Sequence, residues 1–105
     1  MKKLIRTNSK GKLYYEIDKN EFQIEFGNVE FVLPMDEYLM FERKLKDISN
    51  DLSQYNSSDK IKIHVNYIGI TLVFTAEELL GLRDLFGFKS AKYMAFKMKI
   101  NYSMN

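Results

Sequence analysis

The sequence contains no cysteine, which excludes disulfide bonds, thiolate metal sites and a cysteine nucleophile. Its single histidine, His64, leaves a Ser-His-Asp triad or a multi-histidine zinc site without its usual parts. No apolar run approaches the roughly 18–20 residues of a membrane-spanning helix. Only Leu4 and Ile5 follow the basic start of the chain before Arg6, so we expect no export signal. These absences favour a cytoplasmic protein.

Known catalytic sequence patterns are also missing. The chain has no P-loop, no dinucleotide-binding glycine pattern, no HExxH motif and no nucleophile elbow. The most suggestive carboxylate pair is Glu25 and Glu30, which we expect to face each other across a hairpin, where like charges repel. His64 is expected to point to solvent. We therefore predict a protein that is not an enzyme and has neither a cofactor nor a metal.

What the chain does contain is enough apolar material for one core. It has 105 residues, of which 46% are hydrophobic, with eight Phe and seven Tyr, so we expect a single folded domain over residues 1–105. Charge is uneven: residues 1–12 carry five Lys and Arg and residues 87–105 carry four, with no acid in either, whereas residues 13–59 are acidic. Two basic ends on one face could meet an anion, a nucleic acid or the acidic face of another copy.

Residues 22–26 and 29–33 alternate apolar and polar side chains on either side of Gly27-Asn28, which predicts a β-hairpin. Glycine at the first loop position suits a two-residue type II′ turn. That turn predicts three apolar cross-strand pairs on one face, namely Phe26 with Val29, Ile24 with Phe31 and Phe22 with Leu33.

A helix is predicted to follow directly. Pro34 fits its first turn because the missing N–H costs nothing there, and Asp36 and Glu37 complement the helix dipole. Apolar residues then recur at spacings of three and four, at Met35, Tyr38, Leu39, Phe41, Leu45, Ile48 and Leu52. The polar segment from Ser49 to Asp59 is the predicted linker.

The same pattern returns after a shift of 41 residues. In this alignment Ile63, Val65 and Tyr67 match Phe22, Ile24 and Phe26, while Ile70 and Leu72 match Val29 and Phe31. The sequence Thr75-Ala-Glu-Glu78 is a capping box that predicts the second helix, and Gly87 is a suitable C′ residue. Its predicted apolar stripe comprises Leu79, Leu82, Leu85 and Phe86.

The predicted fold is α+β, with two pseudo-symmetric ββα repeats that form one antiparallel sheet and two helices packed on one face. Repeat one covers about residues 13–52, the linker about 53–59 and repeat two about 60–87. An alternating segment at Leu13, Tyr15 and Ile17 adds a strand before the first hairpin. We expect burial between helices and sheet at Leu39, Leu45, Leu80 and Leu85.

The C-terminal run has apolar residues at every even position from Met94 to Met104. Strict period two predicts a strand over about residues 93–103. A helix from Lys89 to Met98 is the alternative, because Ala, Lys and Met are good helix formers.

Several of these segments resemble a group of small uncharacterised bacterial proteins with a duplicated strand-strand-helix layout. The similarity covers about residues 13–87 and includes the Phe26-Gly-Asn28 turn and the run Leu72-Val-Phe-Thr-Ala-Glu-Glu-Leu79. Members often carry a Cys/His metal-ligand pair before the first strand, but Lys10-Gly11-Lys12 stand there in this sequence. The resemblance therefore implies the fold and implies no zinc site or activity.

The functional prediction is a small non-enzymatic protein-interaction or regulatory domain that self-associates or binds a partner at a sheet edge. We expect a protein partner or homo-oligomer in preference to nucleic acid, and neither a membrane nor a small-molecule substrate. The candidate interaction residues are Tyr93, Met94, Phe96, Met98 and Tyr102. The alternative is nucleic-acid binding by the basic ends, with candidate contacts at Lys89, Lys92, Lys97 and Lys99.

Overall fold

The computed structural model describes residues 1–87. The C-terminal strand predicted at residues 93–103 therefore lies outside the described residues. The elements in chain order are β1 (Lys2–Thr7), β2 (Gly11–Glu16), β3 (Glu21–Phe26), β4 (Val29–Pro34), α1 (Met35–Asn50), a 3-10 turn (Leu52–Gln54), β5 (Lys60–Val65), β6 (Ile70–Thr75) and α2 (Ala76–Phe86). The architecture is α+β, as predicted. Neither helix is long and apolar enough to cross a membrane in this part of the chain.

The strands form two sheets. β1 to β4 make a four-stranded antiparallel sheet in chain order, and β5 pairs only with β6 among the described strands. The prediction of one sheet is therefore wrong for residues 1–87. The second hairpin is joined to the first sheet through side chains, since Phe74 of β6 packs edge-on against Phe26 of β3 at 5.9 Å between ring centroids.

The first hairpin has the predicted register. Phe26 pairs with Val29, Ile24 with Phe31 and Phe22 with Leu33. Gly27 has a φ of 57°, in the left-handed region that a type II′ turn requires at its first position. α1 then begins at Met35 with Pro34 as its N-cap, and Asp36 and Glu37 lie in its first turn.

The second hairpin differs from the prediction by two residues. Val65 pairs with Ile70 and Ile63 with Leu72, so residues 66–69 form a four-residue loop, closed by a hydrogen bond from Gly69 N to Val65 O at 2.9 Å. Tyr67, predicted as an apolar strand residue, lies in this loop with 56% of its surface exposed. The longer loop displaces β5 by two residues relative to β6. Because side chains alternate between the two faces of a strand with a period of two, the same residues still face the core, and the sequence pattern does not reveal the shift.

β1 was not predicted, because its residues Lys2–Thr7 do not alternate. A register shift between Leu4 and Arg6 places both Ile5 and Arg6 toward the core side, as in a β-bulge. The turn after β1 is held by Asn8, whose Oδ1 accepts from Lys10 N and Gly11 N at 2.9 Å. Ile17, predicted in the following strand, lies beyond β2 and is 46% exposed.

Both helices pack on the same face of the four-stranded sheet. α1 contacts β3 and β4, α2 contacts β1 and β2, and the helices contact each other. Tyr38 joins the layers, since its ring stacks on Phe22 of β3 at 3.8 Å and on Phe86 of α2 at 5.2 Å. One hydrophobic cluster includes side chains from both sheets and both helices.

The helices match the predicted pattern except at two positions. Leu45 and Leu85 are fully buried and Leu39 is partly buried, but Leu80 is 40% exposed, so its predicted burial is wrong. Leu80 lies outside the stripe of Leu79, Leu82 and Leu85 that faces the core. The buried carboxylate of Glu42 on α1 was not expected among the apolar residues there.

Candidate functional site

The candidate interaction residues Tyr93, Met94, Phe96, Met98 and Tyr102 lie outside the described residues. So do the four lysines proposed for nucleic-acid contact, Lys89, Lys92, Lys97 and Lys99. Within residues 1–87, no group of three or more His, Asp or Glu residues is placed to hold a metal ion. The candidate interaction surfaces within residues 1–87 are therefore the exposed surfaces of the two sheets.

The strand β6 stands out by its composition. Its sequence, Ile-Thr-Leu-Val-Phe-Thr, contains no charged residue, no proline and no glycine. β-branched and aromatic residues of this kind have high strand propensity. Its partner in the described part of the chain is β5 on one side, so we define the other side as the β6 edge.

Apolar side chains next to the β6 edge are exposed. Ile70 is 44% exposed and Val73 49% exposed. Tyr67, in the loop that precedes β6, adds a third exposed apolar side chain. An unpaired strand edge with such side chains is the kind of template on which another strand adds.

The other outer strands carry groups that oppose strand addition. β1 contains Lys2, Lys3 and Arg6, β4 contains Glu30 and ends at Pro34, and β5 contains two lysines. The outer side of β5 is also contacted by α1, because Lys44 Nζ donates to His64 O at 3.0 Å. Charges and proline on edge strands discourage pairing, so β6 is the least protected outer strand among the described residues.

His64 is exposed, as predicted. It lies directly opposite Thr71 in the strand register. His64 Nδ1 is 2.9 Å from Thr71 Oγ1. A depression between α1 and the second hairpin is lined by His64, Met40 and Lys44, but the Lys44 ammonium already donates to the backbone there.

The second surface is the face of the four-stranded sheet away from the helices, which we call the open face. The strand pairing places its side chains in three rows across the sheet. The rows are Lys12, Glu25 and Glu30; then Leu4, Tyr14, Gln23 and Val32; then Lys2, Glu16, Glu21 and Pro34.

A polar network centres on Gln23 of the open face. Glu25 and Glu30 are directly opposite each other, as predicted, and Gln23 Nε2 donates to Glu30 Oε1 at 2.6 Å and to Glu25 Oε2 at 3.3 Å. Lys2 Nζ donates to Gln23 Oε1 at 2.7 Å and lies 4.5 Å from the centre of the Tyr14 ring. The amide therefore links a cation to the two carboxylates.

At one end of the open face, the Met1 ammonium donates to Glu16 and Asp18. These hydrogen bonds raise the pKa of the ammonium above its ordinary value. The same ammonium lowers the pKa values of the Glu16 and Asp18 carboxyls, since it stabilises their charged forms. All three groups are at the surface.

Comparison with known proteins gives one match. The model of a family described as "Family of unknown function (DUF6686)" matches residues 1–105. No curated protein and no solved structure matches the chain.

Proposed function

The chain belongs to this family of unknown function, DUF6686, which supplies no activity, and from the geometry of the chain itself we propose a non-enzymatic protein-interaction domain. The domain acts in the cytoplasm by adding an extended strand, from a partner or from a second copy, to the β6 edge. The observation that carries this proposal is that β6 is uncharged and pairs with β5 alone among the described strands.

Backbone chemistry provides the affinity. An outer strand presents N–H and C=O groups that pair with an added strand, and the apolar side chains of that strand find neighbours on the sheet. On the exposed face of β6 those neighbours are Thr71 and Val73, and on the buried face they are Leu72 and Phe74. The β6 edge therefore favours a strand with alternating side chains over a folded surface or a small molecule.

The candidate residues Tyr93, Met94, Phe96, Met98 and Tyr102 remain a prediction for the same class of function. Their alternating pattern suits a strand. Partner binding through this C-terminal strand and partner binding at the β6 edge are separate hypotheses. The first is based on the sequence pattern, and the second is based on the exposure of β6 in the structure.

Nucleic-acid binding is the alternative, and two of the five basic residues in residues 1–12 already contact other groups of the chain. Lys2 is occupied by Gln23 and Tyr14. Arg6 lies against the C-terminal end of α2, where a Cβ added at Gly87 would be 2.6 Å from the Arg6 Cζ. Cations held in this way are less free to contact phosphates.

The proposal is tested by placing a charge on the β6 edge. We expect Val73→Lys to abolish strand addition, because the half-exposed side chain accepts a lysine while the added charge opposes pairing. Ile17→Lys is the matched control, since Ile17 is similarly exposed at 46% and lies in the loop between β2 and β3. Circular dichroism melts establish that both variants are folded.

Binding is located with a photo-crosslinking residue at position 70, on β6, and at position 17. Crosslinks to a defined segment of a partner or of a second copy should form from position 70 and disappear in Val73→Lys. Equal crosslinking from position 17, or persistence in Val73→Lys, would contradict strand addition at β6.

We also propose that the two ββα units arose by duplication. The order strand, strand, helix occurs twice, as β3-β4-α1 and β5-β6-α2. The two-residue loop of the first hairpin and the four-residue loop of the second then differ by an insertion of two residues.

A further inference from the structure

Charge on the open face changes sign across the sheet. The first two strands contribute Lys2, Lys12 and Glu16, and the last two contribute Glu21, Glu25 and Glu30. The Met1 ammonium donates to Glu16 and balances its charge, so the first side of the face is net basic and the other is acidic. A surface with this layout is complementary to itself after a rotation that exchanges its two sides.

The apolar side chains of the middle row are also arranged so that the row is complementary to itself. Leu4 on β1 is 47% exposed and Val32 on β4 is 40% exposed, and they stand at opposite ends of the row. Tyr14 and Gln23 lie between them. A rotation that exchanges the two sides of the face places the Leu4 end of the row over the Val32 end.

The charges of the row that contains Lys12, Glu25 and Glu30 are incompletely matched within residues 1–87. Glu25 and Glu30 face each other and share the single Gln23 amide. Lys12 lies across from Glu25 in the strand register, yet no ion pair joins them in the part of the chain that the structure describes. Lys12 is thus exposed beside two carboxylates, neither of which forms an ion pair within residues 1–87.

We propose that the open face binds a second copy of this chain, face to face, about a two-fold axis parallel to the strands. This axis sets β1 over β4 of the second copy and β2 over β3. Lys12 then meets Glu25 of the second copy, and Leu4 meets its Val32. Glu16 faces Glu21 of the second copy, and its charge is balanced by the Met1 ammonium of its own chain. The surface is distinct from the β6 edge, so a face-to-face dimer would carry two β6 edges.

The size of the face sets the expected strength. Four strands of six residues span about 19 Å by 20 Å at ordinary strand spacings. Such an area is below the roughly 800 Å² per partner of a stable interface. We therefore expect the dimer to be transient.

The experiment uses two charge-reversed variants of the full chain. In Lys12→Glu, positions 12 and 25 are both acidic, and in Glu25→Lys both are basic. Each variant alone places like charges at both symmetric contacts of the dimer, so each should associate at least about tenfold more weakly than the unchanged chain. An equimolar mixture restores opposite charges at both contacts. Sedimentation velocity over a range of concentrations, with one variant fluorescently labelled, measures the mixed dimer.

Three control measurements accompany this experiment. Thermal melts establish that both variants are folded, since cross-strand neighbours at positions 12 and 25 also repel within each chain. Lys62→Glu, on β5, makes the same change of charge away from the open face and should leave association unchanged. Val73→Lys, at the β6 edge, should likewise leave the face-to-face dimer intact, which separates this proposal from the proposed function.

The proposal is overturned if the unchanged chain stays monomeric at the highest concentration reached. It is also overturned if the mixture of folded variants forms no dimer, or if a crosslinker at Leu4 joins residues 88–105 of the same chain in place of Val32 of a second copy. Recovery of association in the mixture alone supports it.

Discussion

Gly11 of β2 lies against the backbone of Glu25 of β3, so that a Cβ at position 11 would be 2.1 Å from the Glu25 carbonyl oxygen. Real Cβ atoms do not approach a backbone oxygen so closely. The junction of β2 and β3 therefore requires glycine for space, not for a left-handed conformation.

The first prediction is that Gly11→Ala destabilises the fold by about 1–3 kcal/mol, because β2 must move away from β3 to admit the methyl group. Denaturant unfolding measures the change. Gly69→Ala is the contrast, since position 69 has open space around it and a φ of 67°, so that only backbone strain opposes the substitution. A Gly11→Ala variant as stable as the unchanged chain would contradict the strand contact.

The second prediction concerns the first hairpin turn. Gly27→Val should cost about 1–3 kcal/mol, because a β-branched residue tolerates a φ of 57° poorly. The space around position 27 is open, so the cost is conformational. Gly27→Asn should be tolerated better, since asparagine adopts positive φ more readily, and Asn28→Ala should cost less than Gly27→Val. Equal melting temperatures for the valine variant and the unchanged chain would show that the turn is not type II′.

The parts of the fold predicted correctly are those in which local signals agree. In the first hairpin, the alternating apolar residues, Gly27 and the helix start at Pro34 all indicate the same register and boundaries. In α2, the capping box is present as predicted, with Glu78 N donating to Thr75 Oγ1 at 3.1 Å. Agreement among independent local signals is what makes a sequence specify one structure.

The missed features depend on partners distant in sequence. β1 is amphipathic only after its bulge is known, and Tyr67 and Ile68 have the apolar character of strand residues although they form a loop. The β6 edge could not be identified either, because it is defined by the finding that β6 pairs with β5 alone among the described strands. A lack of charge from Ile70 to Thr75 was the one signal in the sequence that could have suggested it.

The third prediction concerns pH. Because the folded pKa values of Glu16 and Asp18 are lowered from their ordinary 4.5 and 3.8, their contribution to stability is present above those values and is lost as the pH falls through the folded pKa values. The folded pKa of the Met1 ammonium is raised above 8.0, so its contribution is complete below pH 8.0 and is lost as the pH rises through that pKa.

Melting temperatures should therefore show a small loss of stability on both sides of this window. In the double variant Glu16→Gln and Asp18→Asn, both losses should shrink, because the ammonium no longer has carboxylate partners. Acetylation of the N-terminal amine should have the same effect on the alkaline side. An unchanged pH profile in the double variant would show that these surface contacts do not persist in solution.

The final prediction concerns the C-terminal run and distinguishes protein interaction from nucleic-acid binding. Truncation after Lys92 removes the six apolar residues at even positions from Met94 to Met104. If residues 93–103 form an edge or swapped strand, we expect the truncation to lower solubility and to abolish the association made through that strand. Regular alternation over six positions is better explained by a strand with one buried face than by phosphate contact.

Replacement of Lys89, Lys92, Lys97 and Lys99 by Gln provides the contrast, because it removes charge and keeps the apolar pattern. We expect the quadruple variant to stay folded and to associate normally, as measured by sedimentation velocity and crosslinking from position 70. If the run instead binds nucleic acid, the same variant should reduce the salt dependence of DNA or RNA affinity by about one unit of slope for each lost phosphate contact. A quadruple variant that stays folded but loses partner binding would count against strand addition. The variant differs from the unchanged chain only in the four lost lysine charges, so those charges and not strand pairing would then account for binding.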